Sequence, residues 1–201
     1  MSTILDWSVA VQKLAGETES GDLYLVKPFP DSTLVAVIDG LGHGTEAAKA
    51  ARIGASILEA CPQESITFLM EQCHKYLKQT RGAAMSLASF NMLNGTMTWL
   101  GVGNVEGILF RNGAGTKPHY KSLLLSAGIV GCHLPQLHVT VTPVTRGDTL
   151  ILTTDGINYN FAQEVNLNEQ PQQIADRILA HHAKVNDDAL VLVARYRGGT
   201  L

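Results

Sequence analysis

Four short stretches carry the residue types with which this chain could do chemistry: Ser20-Gly21-Asp22, Asp39-Gly40-Leu41-Gly42-His43-Gly44, Thr154-Asp155-Gly156 and Asn186-Asp187-Asp188. Each sets a carboxylate beside a glycine or a second aspartate, at one end of an apolar run. Asp39 closes Leu34-Val35-Ala36-Val37-Ile38, which reads as a buried strand, and Thr45-Glu46-Ala47-Ala48 after it reads as a helix start. At a strand end the backbone leaves the sheet, so a carboxylate can face a cleft while glycines let main-chain carbonyls approach a small ligand. Asp-Gly is equally an ordinary turn pair. Recurrence separates the two readings, because Asp155-Gly156 closes a second apolar strand from Thr149 and Asp187-Asp188 opens a third at Ala189.

Carboxylates brought together repel one another unless a cation sits between them. Oxygen donors without cysteine or an obligatory histidine select hard ions, Mg²⁺ or Mn²⁺, over Zn²⁺ or Cu²⁺. Such a cluster commonly holds two ions roughly 3.5 to 4 Å apart, bridged by one carboxylate, and activates water for in-line attack on a phosphate. Asp39 is the expected bridge, since Gly40 can add its backbone carbonyl. The implied chemistry is phosphoester hydrolysis.

The elements that must position these groups follow from periodicity. Ile4–Leu14 reads as a half-buried strand, and Asp22–Val26 as a second one ended by Pro28 and Pro30, so that Asp22 and Asp39 lie on neighbouring antiparallel strands. Thr45–Ala60 is an alanine-rich helix suited to close packing, and Gln63–Lys78 an amphipathic one. Ala84–Phe90, Thr96–Val102, Gly107–Arg111 and His119–Leu125, separated by Asn94-Gly95, Gly103-Asn104 and Asn112-Gly113, read as an antiparallel meander spread over two sheets. Gly128–Pro135 is a loop and Leu137–Val144 alternates again. Gln170–Ala183, with Pro171 near its start, is a helix, and Ala189–Tyr196 a final buried strand. No linker, repeat or low-complexity tract interrupts the chain, so one domain over residues 1–201 is expected.

Several other features read as structural. His74, Lys75, Lys78 and Arg81 form a solvated basic helix end. His181 and His182 point to different faces of a helix, make a poor chelate, and are expected as exposed helix-end cations or partners of carbonyls. Cys61, Cys73 and Cys132 are scattered and read as small apolar residues in a reducing compartment. With 15 Lys and Arg against 18 Asp and Glu, a net charge of -3 argues against nucleic acid or an anionic membrane as partner. No signal peptide and no apolar run of ~20 residues is found, so a soluble cytoplasmic protein is expected.

Ser20-Gly21-Asp22, Asp39-Gly40-Leu41-Gly42-His43-Gly44, Thr154-Asp155-Gly156 and Asp187-Asp188-Ala189 resemble, in order, the four acidic motifs of the PPM family, the metal-dependent type 2C (PP2C-like) protein phosphatases. The segments Gly103–Arg111 and Arg146–Leu152 resemble its short bacterial, SpoIIE/RsbX-like branch of sporulation and sigma-factor-regulating enzymes. The resemblance implies an α+β fold, a four-layer α-β-β-α sandwich of two antiparallel sheets covered by helix pairs. It also implies that Asp39 bridges two Mn²⁺ or Mg²⁺ ions, that Gly40 adds its carbonyl, that Asp155 and Asp187 bind one ion, and that Asp22 serves the other directly or through water. Asp188 is the alternative to Asp187, because neighbours in an extended segment face opposite sides. The implied substrate is phosphoserine or phosphothreonine on a protein, here a stressosome or STAS-type antagonist, met by a minimal, monomeric catalytic unit.

Two departures matter. Leu41 stands where longer members carry a histidine proposed as general acid, which passes that role to His43 or to a metal-bound water. No arginine lies in Gly16–Gly21, where longer members have one for phosphate, so phosphate binding rests on the metals. Two rival readings are a metal-free binding module on the same fold, and a two-metal hydrolase of nucleotides or small phosphoesters. The first would lose a carboxylate, and the second lacks a GxxxxGK[ST] signature.

Overall fold

The apolar runs become strands of two five-stranded antiparallel sheets in the computed structural model, which describes residues 4–113 and 119–198. One sheet is ordered β1 (Leu5–Gln12), β10 (Ala189–Tyr196), β9 (Thr149–Thr153), β6 (Glu106–Arg111) and β7 (His119–Ser122). The other is ordered β2 (Asp22–Phe29), β3 (Ser32–Gly40), β4 (Ala83–Asn91), β5 (Thr96–Val102) and β8 (Thr140–Pro143).

Strand β3 shows why these runs are apolar throughout. Val35 and Val37 face the other sheet, packing with Trp99, Leu109, Leu150 and Leu192, while Leu34, Ala36 and Ile38 face two helices, α1 (Gly44–Ala60) and α2 (Ile66–Leu77). A strand with period-two side chains that is covered on both faces must be apolar at every position. The same holds for β10, whose Leu190 and Leu192 point between the sheets while Val191 and Val193 meet Ile174 and Ile178 of α3 (Pro171–His182). Truncating any such buried Leu or Ile to Ala costs about 2–5 kcal/mol. The layers are therefore α-β-β-α, as expected. The β9–β10 sheet, however, is covered by α3 together with a short 3-10 segment, Tyr159–Glu164, in place of a second full helix.

Helix α1 lies close on its sheet because its inner face is small. Ala47, Ala50, Ala51 and Gly54 are buried, and a Cβ on Gly54 would already touch the side chains of Ile38 and Met85. Helix α2 starts at Ile66, later than Gln63, and is capped by Ser65, whose hydroxyl accepts from the Phe68 amide at 3.2 Å.

Three further expectations change. Strand β2 runs through Pro28 to Phe29, which an edge strand tolerates because no ladder donor is required on its open side. The strands from Ala84 onward divide between two sheets, as expected, with β4 and β5 paired in one, the chain crossing at Gly103-Asn104-Val105 and β6 and β7 paired in the other, but the last strand stops at Ser122, short of Leu125. Gly103 makes that crossing possible, having φ 95° and lying where a Cβ would come within 2.5 Å of the Ala84 Cβ. Finally, the basic and cysteine residues divide. Cys73 is buried, with its thiol pushed up to about 12 by burial, whereas Cys132 is exposed and is not a core residue. His74 is partly buried and accepts from the Gly131 amide at 2.9 Å. His182 is packed on Phe161 and paired with Glu164 at 3.1 Å, so of the two adjacent histidines only His181 is exposed. Among the described residues no helix is long and apolar enough to cross a membrane.

Candidate metal centre

Asp22 and Asp39 are direct cross-strand partners in the β2–β3 ladder, at the end where both strands leave the sheet. Two glycines hold that end shut. The amide of Gly40 donates to the carbonyl of Gly21 at 3.0 Å, and a Cβ on Gly40 would fall 2.1 Å from the carbonyl oxygen of Ala47. Only glycine lets the first turn of α1 sit directly over the strand end.

Asp155 and Asp187 come from the other sheet, where the same device recurs. A Cβ on Gly156 would lie 1.8 Å from the carbonyl oxygen of Asp188, so the Asp155-Gly156 turn and the Asp187-Asp188 segment press together with no room for a side chain. Thr154 ties the two sheets: its hydroxyl donates to Asp22 Oδ2 at 2.7 Å and accepts from the Leu190 amide at 2.9 Å. Asp155 Oδ2 in turn accepts from the side-chain amide of Asn104 at 2.7 Å.

Asp188 is different in kind. It is buried, and both carboxylate oxygens are spent on main-chain amides, Oδ1 on Leu14 and Oδ2 on Gly21, each at 2.8 Å. Asp187 is less buried and accepts only from the Asp188 amide, at 3.0 Å. Of the pair, Asp187 has the free oxygen.

Electrostatics follows from this packing. Burial, reinforced by Asp22, Asp155, Asp187 and Asp188, pushes the Asp39 carboxyl up to about 9. Burial also raises Asp22 to about 7, the Thr154 hydroxyl opposing and the other aspartates adding to the rise. Asp187 is raised as well, by burial first and then by Asp155. Carboxyls that resist ionisation because of one another become anionic when a cation neutralises them, and all the donors here are hard oxygens. The donor set therefore fits Mg²⁺ or Mn²⁺. The carboxylates are near enough to raise one another, and among the described residues no three Asp, Glu, His or Cys side chains converge on one ion position. Asp22 has one oxygen turned to Thr154, and Asp188 has both spent on the backbone.

The remaining sequence candidate, His43, starts α1 in extended backbone without capping it, and its Nδ1 is paired with Glu17 Oε1. None of the four carboxylates is hydrogen-bonded to it. Two participants were not singled out from sequence. Thr154 and Asn104 orient Asp22 and Asp155, and nothing in their spacing announces it, although Asn104 does sit in the Gly-Asn turn between strands.

Two antiparallel sheets, flanking helices and an acidic cleft at the strand ends define the PP2C class of domain. The chain belongs to the Stage II sporulation protein E (SpoIIE) family, whose model matches residues 30–197. It is similar to the phosphoserine phosphatase RsbX of Bacillus subtilis (strain 168), 25% identical over 182 residues that cover 90% of this chain and 89% of that protein. Among solved structures, it superposes with a TM-score of 0.86 and 28% identity on a chain from "The bacterial stressosome: a modular system that has been adapted to control secondary messenger signaling", covering 95% of this chain and 99% of that one. RsbX in complex with magnesium gives a TM-score of 0.85 at 22% identity, over 96% of this chain and 95% of that one, a likeness of fold.

Proposed function

We propose that this chain is a metal-dependent PP2C-type serine/threonine phosphatase that removes phosphate from phosphoserine or phosphothreonine on a stressosome or STAS-type regulator. It acts as a single domain over residues 1–201, monomeric and cytoplasmic. The observation that carries the reading is that Asp22 and Asp39 are cross-strand partners and that Asp155 and Asp187, from the other sheet, lie near enough to raise the Asp39 carboxyl. The phosphoserine phosphatase named among its relatives supports the reaction, and the stressosome structure supports the class of partner.

Asp39 with the Gly40 carbonyl would hold a pair of ions, Asp155 and Asp187 completing one and Asp22 the other. Divalent cations in such a site neutralise phosphoryl oxygens and make a water acidic enough to attack at neutral pH. The chain's own residues do the positioning. Thr154 aims Asp22, Asn104 aims Asp155, and Asp188 clamps Gly21 so that β2 starts in register. Leu41 offers no proton to the leaving alkoxide. His43, its Nδ1 engaged by Glu17, can exchange one through Nε2.

The test is Mn²⁺- or Mg²⁺-dependent hydrolysis of p-nitrophenyl phosphate, and full activity in EDTA overturns the reading. The substrate is then identified as the phosphoprotein in a labelled lysate that loses its phosphate when the active chain, but not Asp39→Asn, is added.

A further inference from the structure

At the edge of the sandwich opposite β1 and β2, the outer strands β7 and β8 leave a groove of about 680 Å³ between the two sheets. Asn104, Glu106, Lys121, Leu124, Thr140 and Tyr159 are among the residues that line it. Asn104, which lines the groove, is also the residue that holds Asp155 at 2.7 Å, so the groove is one residue away from the proposed metal site. Its volume is that of a site for a ligand several times larger than a phosphate group.

Three features narrow the occupant. All four residues of β7, His119–Ser122, are exposed, and β7 is the terminal strand of its sheet, with no strand paired to its outer edge among the described residues. Leu124 and Tyr159 are 66% and 62% exposed, large apolar groups held out to solvent at the groove wall. Leu124 is not loosely placed: its carbonyl accepts from the Trp99 indole at 3.2 Å, and the neighbouring Leu123 amide donates to Gly107 at 2.8 Å. An open strand edge with adjacent apolar anchors is the geometry that receives an extended peptide.

We propose that this groove binds the extended segment flanking the phosphorylated residue of the protein substrate, with Leu124 and Tyr159 as its anchors and Asn104 as the junction with the metal centre. The proposal rests on the phosphatase reading above. Affinity for a phosphoprotein then comes from residues beside the phosphate, and a small phosphoester, which reaches only the carboxylates, gains nothing from the groove.

The experiment compares p-nitrophenyl phosphate with phosphoserine peptides of three and eleven residues carrying apolar flanks, using the wild-type chain, Leu124→Asp and Tyr159→Ala with Mn²⁺ present. Expected is a higher kcat/KM for the long peptide than for the short one. Each variant should lower the long-peptide value about tenfold, chiefly through KM, while p-nitrophenyl phosphate hydrolysis is unchanged. Unchanged hydrolysis of the small ester also reports that the variants are folded. Equal rates for both peptide lengths, or variants that leave the long-peptide KM untouched, overturn the groove. Absence of any hydrolysis by the wild type overturns the phosphatase reading instead. As a readout independent of turnover, the fluorescently labelled eleven-residue peptide should bind the Asp39→Asn chain and lose that binding when Leu124→Asp is added.

Discussion

Asp188 Oδ2 accepts a hydrogen bond at 2.8 Å from the amide of Gly21, the residue immediately before Asp22. Its other oxygen takes the Leu14 amide at the same distance, so one buried carboxylate ties the end of β10's entry segment to the start of β2. Replacing Asp188 by Ala leaves two amides without a partner and should cost about 3 kcal/mol, seen as a lowered denaturation midpoint. Asp187→Ala should leave stability within about 0.5 kcal/mol and remove metal-dependent hydrolysis. The reverse pattern, with Asp188→Ala stable but inactive, would make Asp188 the ligand.

Asp39 faces Asp22 across the ladder, and burial together with that neighbour holds its carboxyl near 9. Asp39→Asn therefore removes the hydrolysis of p-nitrophenyl phosphate while raising the thermal midpoint of the metal-free protein at pH 8, because folding at that pH obliges the Asp39 carboxyl to take up a proton that the unfolded chain has lost, and a neutral amide carries no such cost. A variant that is both inactive and less stable would contradict the account of the site as strained by like charge.

Stability should depend on pH in a direction opposite to that of most paired carboxylates. Asp39 and Asp22 have folded-state values of about 9 and about 7 against an ordinary 3.8, so the folded chain binds their protons more tightly than the unfolded one. Their stabilisation is full below about pH 4 and is lost as pH rises through both folded-state values. Metal-free protein should melt at progressively lower temperature from about pH 5 to about pH 9, and Mg²⁺ or Mn²⁺ should recover most of the loss at the alkaline end. A flat profile without metal, checked by calorimetry, would count against the cluster.

Asn104 is exposed and touches Asp155 through a single bond of 2.7 Å. Asn104→Ala should lower the p-nitrophenyl phosphate rate about 10–100-fold, as loss of a group that aims a metal ligand does, with stability unchanged. Asn104→Asp, which cannot donate and adds charge, should be worse than Ala. Equal activity of all three would reduce Asn104 to a surface residue.

Cys132 should be alkylated by iodoacetamide in the native protein. Cys73, buried and with its thiol pushed up to about 12, should react only after unfolding. Mass spectrometry of peptides carrying Cys73 and Cys132 distinguishes the two.

Local sequence was enough to find the strands, the helices and the four Asp motifs, because each rests on side chains within a few residues of one another. Leu34–Ile38 is apolar at every position and so declares a strand covered on both faces, and Asp-Gly after such a run declares an abrupt exit. What local patterning cannot carry is distance across the chain. That β5 and β6 part company at Gly103 is decided by the close approach of Ala84, and that β2 continues through Pro28 is decided by its place at a sheet edge. The division of labour between Asp187 and Asp188 turns on amides more than 160 residues away in sequence, and the roles of Thr154 and Asn104 on partners 132 and 51 residues away. The chain itself thus determines which oxygen donors are available and that a hard cation suits them. Which donors stay free, which are spent on the backbone and which are aimed by neighbours is determined by the packing of two sheets, since hydrogen bonds and charge repulsion depend on separation in space.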